Sequence, residues 1–502
     1  MNIVQIFEDA AKQWPDRIAI IDRDGKEFSY FELHNLVLAQ AIKFKKRGIA
    51  PGDRVMVFVP MSIELYISVL ALFYIGASAV FLDEWVSKER MEICCKMAGC
   101  IGFVASLKVR TLALLSKELR KIKYWFGLPD LKLKNEQNAP VFHDANPEHT
   151  ALITFTTGST GIPKAANRTH AFLFAQFDAL MPLTQPLPGF QIGPDMPMLP
   201  IVLLLNLGRG ITSVIADFKA SKPLLFDPLK IWDQIKKHEI VSLTTSPFYG
   251  EKLVSVKFEN NNSLKRIILG GAPVFPDLIV KINNRLPQIE TTIVYGSTEA
   301  EPVSHISGKA LLEFHTIHSP ENGLLVGQPD TAITIAIISL DYKIGEPMKP
   351  LILRGSIGEI CVNGDHVLKN YLNNPEAEVQ NKILENGKIW HRTGDAGYMD
   401  SEGRLFLVGR VKQIIKYDNK TYYPFLIEYF LKSIPGVIIG TLILRNEELI
   451  AAVQINQESD ASIISPIILK FLPKATIKYL KEMPMDPRHH SKIDFEKLQM
   501  IL

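Results

Sequence analysis

The residues of this 502-residue chain best equipped for chemistry gather in a few short stretches. The densest is TTGSTGIPK, Thr156 to Lys164, directly behind the apolar run ALITF. Glycine lets a backbone approach a ligand closely and turn its N–H groups toward an anion. Thr156, Thr157, Ser159 and Thr160 supply hydroxyls around Gly158 and Gly161, and Lys164 supplies a positive charge. That inventory after a buried strand reads as a phosphate cradle rather than a surface turn. It is not the P-loop of the common nucleotide hydrolases, because the GxxxxGK[ST] spacing is missing.

A second stretch, YGSTE, runs from Tyr295 through Gly296 and Ser297 to Glu299. Tyr295 offers an aromatic face to a flat base, Thr298 a hydroxyl to a phosphate, and Glu299 a hard oxygen to magnesium. Upstream, Gly271, Ala272 and Pro273 of GGAP could wall a nucleobase. In HRTGD, Asp395 follows a glycine, a place suited to accepting from two ribose hydroxyls, and Arg410 could reach the same sugar or a phosphate. Lys492, in the polar DPRHHSKID, has nothing in its own surroundings to single it out.

Elements must hold these stretches together. Short β-branched runs (RVMVFVP, AVFLD, ALITFT, ITSVIAD, RIILGG, TIVYG) alternate with amphipathic stretches such as Phe31 to Lys46, the pattern of a layered α/β fold. Three of the runs end directly in TGSTG, AP and STE, and open α/β sheets bind ligands at the carboxyl ends of their strands. From about Asp330, TAITIAII, GEICVNG and GRLFLVGR predict a small antiparallel β unit. After Gly409 the pattern changes to a separate C-terminal α+β lobe.

Composition narrows the class. Fifty-six Lys and Arg against fifty-three Asp and Glu leave a charge of +3, too small to imply nucleic acid as the main partner. Four cysteines cannot form a disulfide framework, and Cys94, Cys95 and Cys100 lack zinc-ligand spacing, so reduced buried thiols and a cytoplasmic location are expected. The N-terminus shows no export signal. Leu65 to Leu82 is almost uncharged and about long enough to span a bilayer. Gly76 breaks it, however, and a buried helix leading into a buried strand is the expected reading, with no transmembrane span.

Taken in order, TTGSTGIPK, GGAP, YGSTE, GEICVNG, HRTGD, GRVKQIIK and SKID resemble the adenylate-forming (AMP-binding) superfamily of acyl-CoA synthetases, adenylation domains and luciferases. The resemblance covers essentially the whole chain. It implies an N-terminal domain over residues 1–411, with two layered α/β lobes and a small β unit, and a mobile C-terminal domain over 412–502 that pivots at Lys412. It implies a reaction in which a carboxylate and ATP give acyl-AMP and pyrophosphate, with magnesium as cofactor. Lys492 would bridge the α-phosphate and the attacking carboxylate. The segment LPIVLLLNL, Leu199 to Leu207, aligns with the family's substrate-facing motif and places Leu203, Leu204 and Asn206 in an apolar acyl pocket.

Two departures bear on the second step. Asp418-Asn419 stands where the family usually has glycine, in a loop that lines the thiol channel of thiol-transferring relatives, and Ser491 replaces a glycine before the lysine. The expected reaction is activation of a medium- or long-chain fatty acid followed by transfer to a thiol, CoA or a carrier protein. The alternative is β-lactone closure of a β-hydroxy acid, because LPIVLLLNLGRGITSVIADF, YGSTEAEPVS, GLLVGQP and DPRHHSKID look like the ligases of bacterial long-chain olefin biosynthesis.

Overall fold

The computed structural model describes all of residues 1–502 except 84–85, 133–141, 158–162, 186–192, 259–262, 318–319, 352, 354 and 487–491. Among the described residues the architecture is α/β, built on two large sheets and a C-terminal unit. The first sheet runs in the order Tyr124–Phe126, Gly102–Ala105, Arg54–Phe58, Ser78–Phe81, Thr150–Thr157, Pro163–Thr169. Its first five strands are parallel and the sixth is antiparallel to the fifth, so the glycine-hydroxyl stretch joins the two arms of a hairpin. The apolar run behaves as expected. Every residue of helix Ile63–Tyr74 except Glu64 is buried. The chain then turns at Gly76 (φ 76°), where a Cβ would strike the His143 ring, into the buried strand Ser78–Phe81. No described helix is long and apolar enough to cross a membrane.

The second sheet has a parallel heart: Ile18–Ile21, Ser213–Val214, Asp195–Pro197, Ser242–Thr245, Arg266–Leu269 and Glu290–Ser297. Beyond it the strands turn antiparallel through Ala300–Ser307 and Leu324–Pro329 to Leu405–Arg410, Lys388–Met399, Gly358–Asn363 and Thr334–Ile338. The antiparallel β unit expected after Asp330 is present and continuous with the large sheet. The register pairs Ser304↔Pro329 and Leu324↔Leu407 splice it onto the large sheet.

The C-terminal stretch opens with a hairpin, Ile415–Tyr417 against Lys420–Tyr422. Asp418 (φ 50°) and Asn419 (φ 58°) form its two-residue turn, a left-handed pair that tight hairpins require and that Asp and Asn accept in place of glycine. Three strands, Val437–Arg445, Glu448–Ile455 and Thr476–Tyr479, pack against helices Pro424–Ser433 and Ala461–Phe471. Ile427, Leu431, Leu442, Val453 and Ile468 form a core of their own. From the same Pro424–Ser433 helix, Phe425 and Tyr429 join the core of the second sheet, so this helix buries two faces.

Candidate active site

The carboxyl ends of both sheets open onto one cleft with a cavity volume of about 1430 Å³. The first sheet brings Thr156 and Lys164 to it. Strand Arg266–Leu269 delivers Gly271, Ala272 and Pro273, and strand Glu290–Ser297 delivers Tyr295, Gly296, Ser297, Thr298 and Glu299. Asp395 and Arg410 come from adjacent antiparallel strands and face each other in register. The fifth strand of the first sheet ends at Thr157, while Gly158, Ser159, Thr160 and Gly161 lie outside the described residues.

Asp395 is already organised. Its carboxylate accepts from the Tyr295 hydroxyl at 2.8 Å and pairs with Arg410 at 3.0 Å, and its own N–H donates to the Thr393 hydroxyl. Burial, and then the neighbouring Asp395 charge, push the Tyr295 phenol well above its ordinary value, so it remains a neutral donor. Gly394 (φ 72°) makes the bend that presents the carboxylate. An acceptor pinned on two sides in this way is suited to hydroxyl donors of a ligand.

Glu299 sits where the two sheets meet. Its carboxylate accepts from Thr156 Oγ1 at 3.2 Å and from the Tyr371 hydroxyl at 3.0 Å. Two isolated bridges, Ala166↔Tyr371 and Ala300↔Val367, stitch the sheets at the same place. Burial alone would raise the Glu299 carboxyl, but the neighbouring His391, then Lys382, the Tyr371 hydroxyl and Lys164, outweigh it and hold the group below its usual value. Lys164 donates to Asn381 at 3.0 Å, and the ammonium groups of Lys164 and Lys382 lie 5.5 and 5.4 Å from the centre of the Tyr371 ring. Burial pulls Lys382 down to about 7, and burial beside Lys382 keeps the His391 ring neutral, at about 3. Arg168 donates to the Thr298 carbonyl at 2.9 Å and so fixes the turn carrying Glu299.

Lys492 lines the same cleft from the C-terminal unit, on a short antiparallel bridge in which the Asp486 N–H donates to the Lys492 carbonyl at 2.8 Å. Lys412 lies on the turn Val411–Gln413 at the rim. The apolar wall is built by Leu65, Val69, Leu199, Ile201 and Leu204. Leu203 and Asn206 are not part of it, which corrects the expected acyl pocket. LPIVLLLNL folds as the helix Pro200–Leu207, and helical spacing turns Leu203 into the core. Asn206, fully buried on the inner face, donates to Asp195 at 2.7 Å and to Ser213 at 3.1 Å.

Sequence reasoning missed Tyr371, Lys382, His391, Asn381 and Arg168. One usable signal existed. KILENGKIWH carries Asn-Gly between two apolar runs, the commonest two-residue hairpin turn, and such a hairpin pairs Lys382 with His391 as the register shows. Tyr371 had none, since it reaches Glu299 only through the contact between sheets.

The sequence profile of the AMP-binding enzyme family matches residues 7–372. An olefin β-lactone synthetase of Xanthomonas campestris pv. campestris is 28% identical, over 99% of this chain and 96% of its own length. A 4-coumarate-CoA ligase of Narcissus pseudonarcissus is 23% identical, over 93% and 86%. The fold matches O-succinylbenzoate coenzyme A synthetase of Bacillus subtilis, solved with ATP and magnesium ion, with a TM-score of 0.77 at 21% identity over 96% and 97% of the two chains. The profile takes in both sheets' cleft-facing turns as far as Leu372, and the chain belongs to the AMP-binding enzyme family as an AMP-forming acid ligase.

Proposed function

We propose that the protein condenses a long apolar 3-hydroxy carboxylate with ATP to acyl-AMP and pyrophosphate, and then closes the acyl group to a β-lactone with release of AMP. The observation that carries the first step is the cleft itself. Its lining combines apolar residues such as Leu65, Val69, Leu199, Ile201 and Leu204 with Asp395, Arg410, Lys164, Glu299 and Lys492. Hydrocarbon binds by area, about 25 cal/mol per Å² removed from water, and a wall without fixed polar partners suits it.

In this reading Asp395 takes the ribose hydroxyls, the Tyr295 and Gly271–Pro273 surfaces take the adenine, and Lys164 with the hydroxyl loop takes the departing phosphates. Lys492 brings the carboxylate oxygen and the α-phosphorus together, where two anions must approach and a fixed cation is worth several kcal/mol. Magnesium fits the donor set: it needs one or two carboxylates plus substrate phosphates, and Glu299 is a buried, ionised carboxylate beside the Thr156 and Thr298 hydroxyls. When bound there it would offset phosphate charge; among the described residues no cluster of three or more acidic, His or Cys side chains offers an all-protein cage.

In the second step the substrate's own hydroxyl oxygen bonds to the carbonyl carbon. The carbonyl–phosphate C–O bond breaks, and AMP leaves as the hydroxyl proton is lost. Support comes from the β-lactone synthetase, which matches nearly end to end. Transfer to CoA is the second reading, favoured by the coumarate ligase and the succinylbenzoate synthetase. Incubation of the protein with ATP, magnesium and a long-chain 3-hydroxy acid, with and without CoA, separates them. AMP and lactone without CoA are expected, whereas product formation strictly dependent on CoA would overturn lactone closure.

A further inference from the structure

Four large apolar side chains stand exposed within nine residues: Leu107 (69% exposed), Leu112 (56%), Leu114 (57%) and Leu115 (74%). They lie on the helix Leu107–Ala113 and the turn after it. The element is anchored from beneath, since Ala113, Leu119 and Ile122 enter the core and Val109 packs on it, so the leucines are held outward rather than left over from poor packing. Soluble surfaces scatter exposed leucines singly, and a cluster marks an interaction face.

Charge says what covers it. Between Ala105 and Tyr124 there are six Lys or Arg and one acid, although the whole chain carries only +3. Lys108, Lys117, Arg120, Lys121 and Lys123 are exposed, and the one acid, Glu118, is paired with Lys121 at 2.8 Å. Leucines ringed by lysines and arginines match an anionic membrane surface, with the apolar side chains at the headgroup boundary and the cations on lipid phosphates.

Position gives the contact a use. Lys88 donates to the Leu115 carbonyl at 3.4 Å, and Val86 and Arg90, two residues to either side of Lys88, line the cleft together with Phe81 and Leu82. We propose that the Leu107–Lys123 face docks on an anionic lipid bilayer, setting the Val86–Arg90 margin of the cleft against the lipid phase. The benefit to a fatty substrate rests on the function proposed above, but the docking itself does not.

Co-sedimentation with vesicles tests it without turnover. The wild-type chain is expected to sediment with mixed phosphatidylcholine–phosphatidylglycerol vesicles, to stay largely in solution with phosphatidylcholine alone, and to be released by salt. Leu112→Ser/Leu114→Ser/Leu115→Ser and, separately, Lys117→Glu/Arg120→Glu should each weaken the partition at least about tenfold with unchanged melting curves. Leu224→Ser/Leu225→Ser, which alters exposed leucines elsewhere, should leave it intact. A wild-type chain that ignores anionic vesicles, or variants that bind as it does, would overturn the proposal. So would a concentration-dependent dimer abolished by the triple serine change, because a second copy would then cover the face.

Discussion

The Glu299 carboxylate is held by two hydroxyls, Thr156 at 3.2 Å and Tyr371 at 3.0 Å, in a setting where burial works against its charge. Hydrogen bonds to a charged group are worth about 1.5–3 kcal/mol, so losing one matters. Tyr371→Phe keeps the ring between Lys164 and Lys382 but removes the donor. The Glu299 carboxyl should then rise, and ionised Glu299 should be lost at a higher pH on acidification. The acid limb of the adenylation profile is expected to move upward, with the KM for magnesium-ATP raised about tenfold. A superimposable profile would remove Tyr371 from the site. Lys492 makes a different prediction, because its assigned role lies in the transition state alone. Lys492→Ala should slow carboxylate-dependent pyrophosphate exchange at least about a hundredfold with nucleotide binding nearly intact, and an equally active variant would refute that role.

Elements decide how much of this was legible. GGAP and YGSTE fell where strand endings said they would, because a strand's carboxyl end is visible in the sequence, whereas HRTGD lies inside the strand Lys388–Met399. The helix Pro200–Leu207 was harder. A nearly all-apolar octet carries no clear face, so only the structure could show that Leu204 reaches the cleft while Leu203 does not. Lys382 and His391 depend on hairpin register, and Tyr371 on the contact between sheets, which no local pattern encodes. A partly buried acid tests the helix Pro424–Ser433 in the same spirit. Glu428 accepts from Thr441 at 2.8 Å, and burial pushes it up to about 7. A folded value above the unfolded one stabilises the chain fully below about pH 4.5 and loses that contribution as pH climbs through about 7. Glu428→Gln should therefore gain on the wild type between pH 5 and 8, by on the order of 3 kcal/mol at the upper end. Parallel melting-temperature curves would show that Glu428 is not the titrating group.

At the scale of the whole molecule, the proposed chemistry asks the C-terminal unit both to hold Lys492 in the cleft and to withdraw it. The contact between that unit and the second sheet is made of a few aromatic and ionic pairs. Phe275 packs on Phe425 and Tyr429 with ring centres 5.5 and 5.1 Å apart, and Tyr429 meets His315 at 2.8 Å. Lys432 lies 5.5 Å from the Phe275 ring centre, 3.6 Å from Asp277 and 4.0 Å from Glu251. Aromatic pairs contribute about 0.5–1.5 kcal/mol beyond their area, and half-exposed ion pairs no more than about 1 kcal/mol. A sum of a few kcal/mol selects one orientation yet can be exchanged within a turnover. Lys432→Glu sets a third carboxylate beside Asp277 and Glu251, leaving Lys281 as the cation already shared between them. Tryptic cleavage at Lys412 should then quicken roughly three- to tenfold without nucleotide, and a saturating acyl-adenylate analogue should restore slow cleavage by re-engaging Lys492. If cleavage at Lys412 is as slow in the variant as in the wild type, the Lys432 contacts do not hold the two parts together, and the exchange of orientations must be sought at another surface.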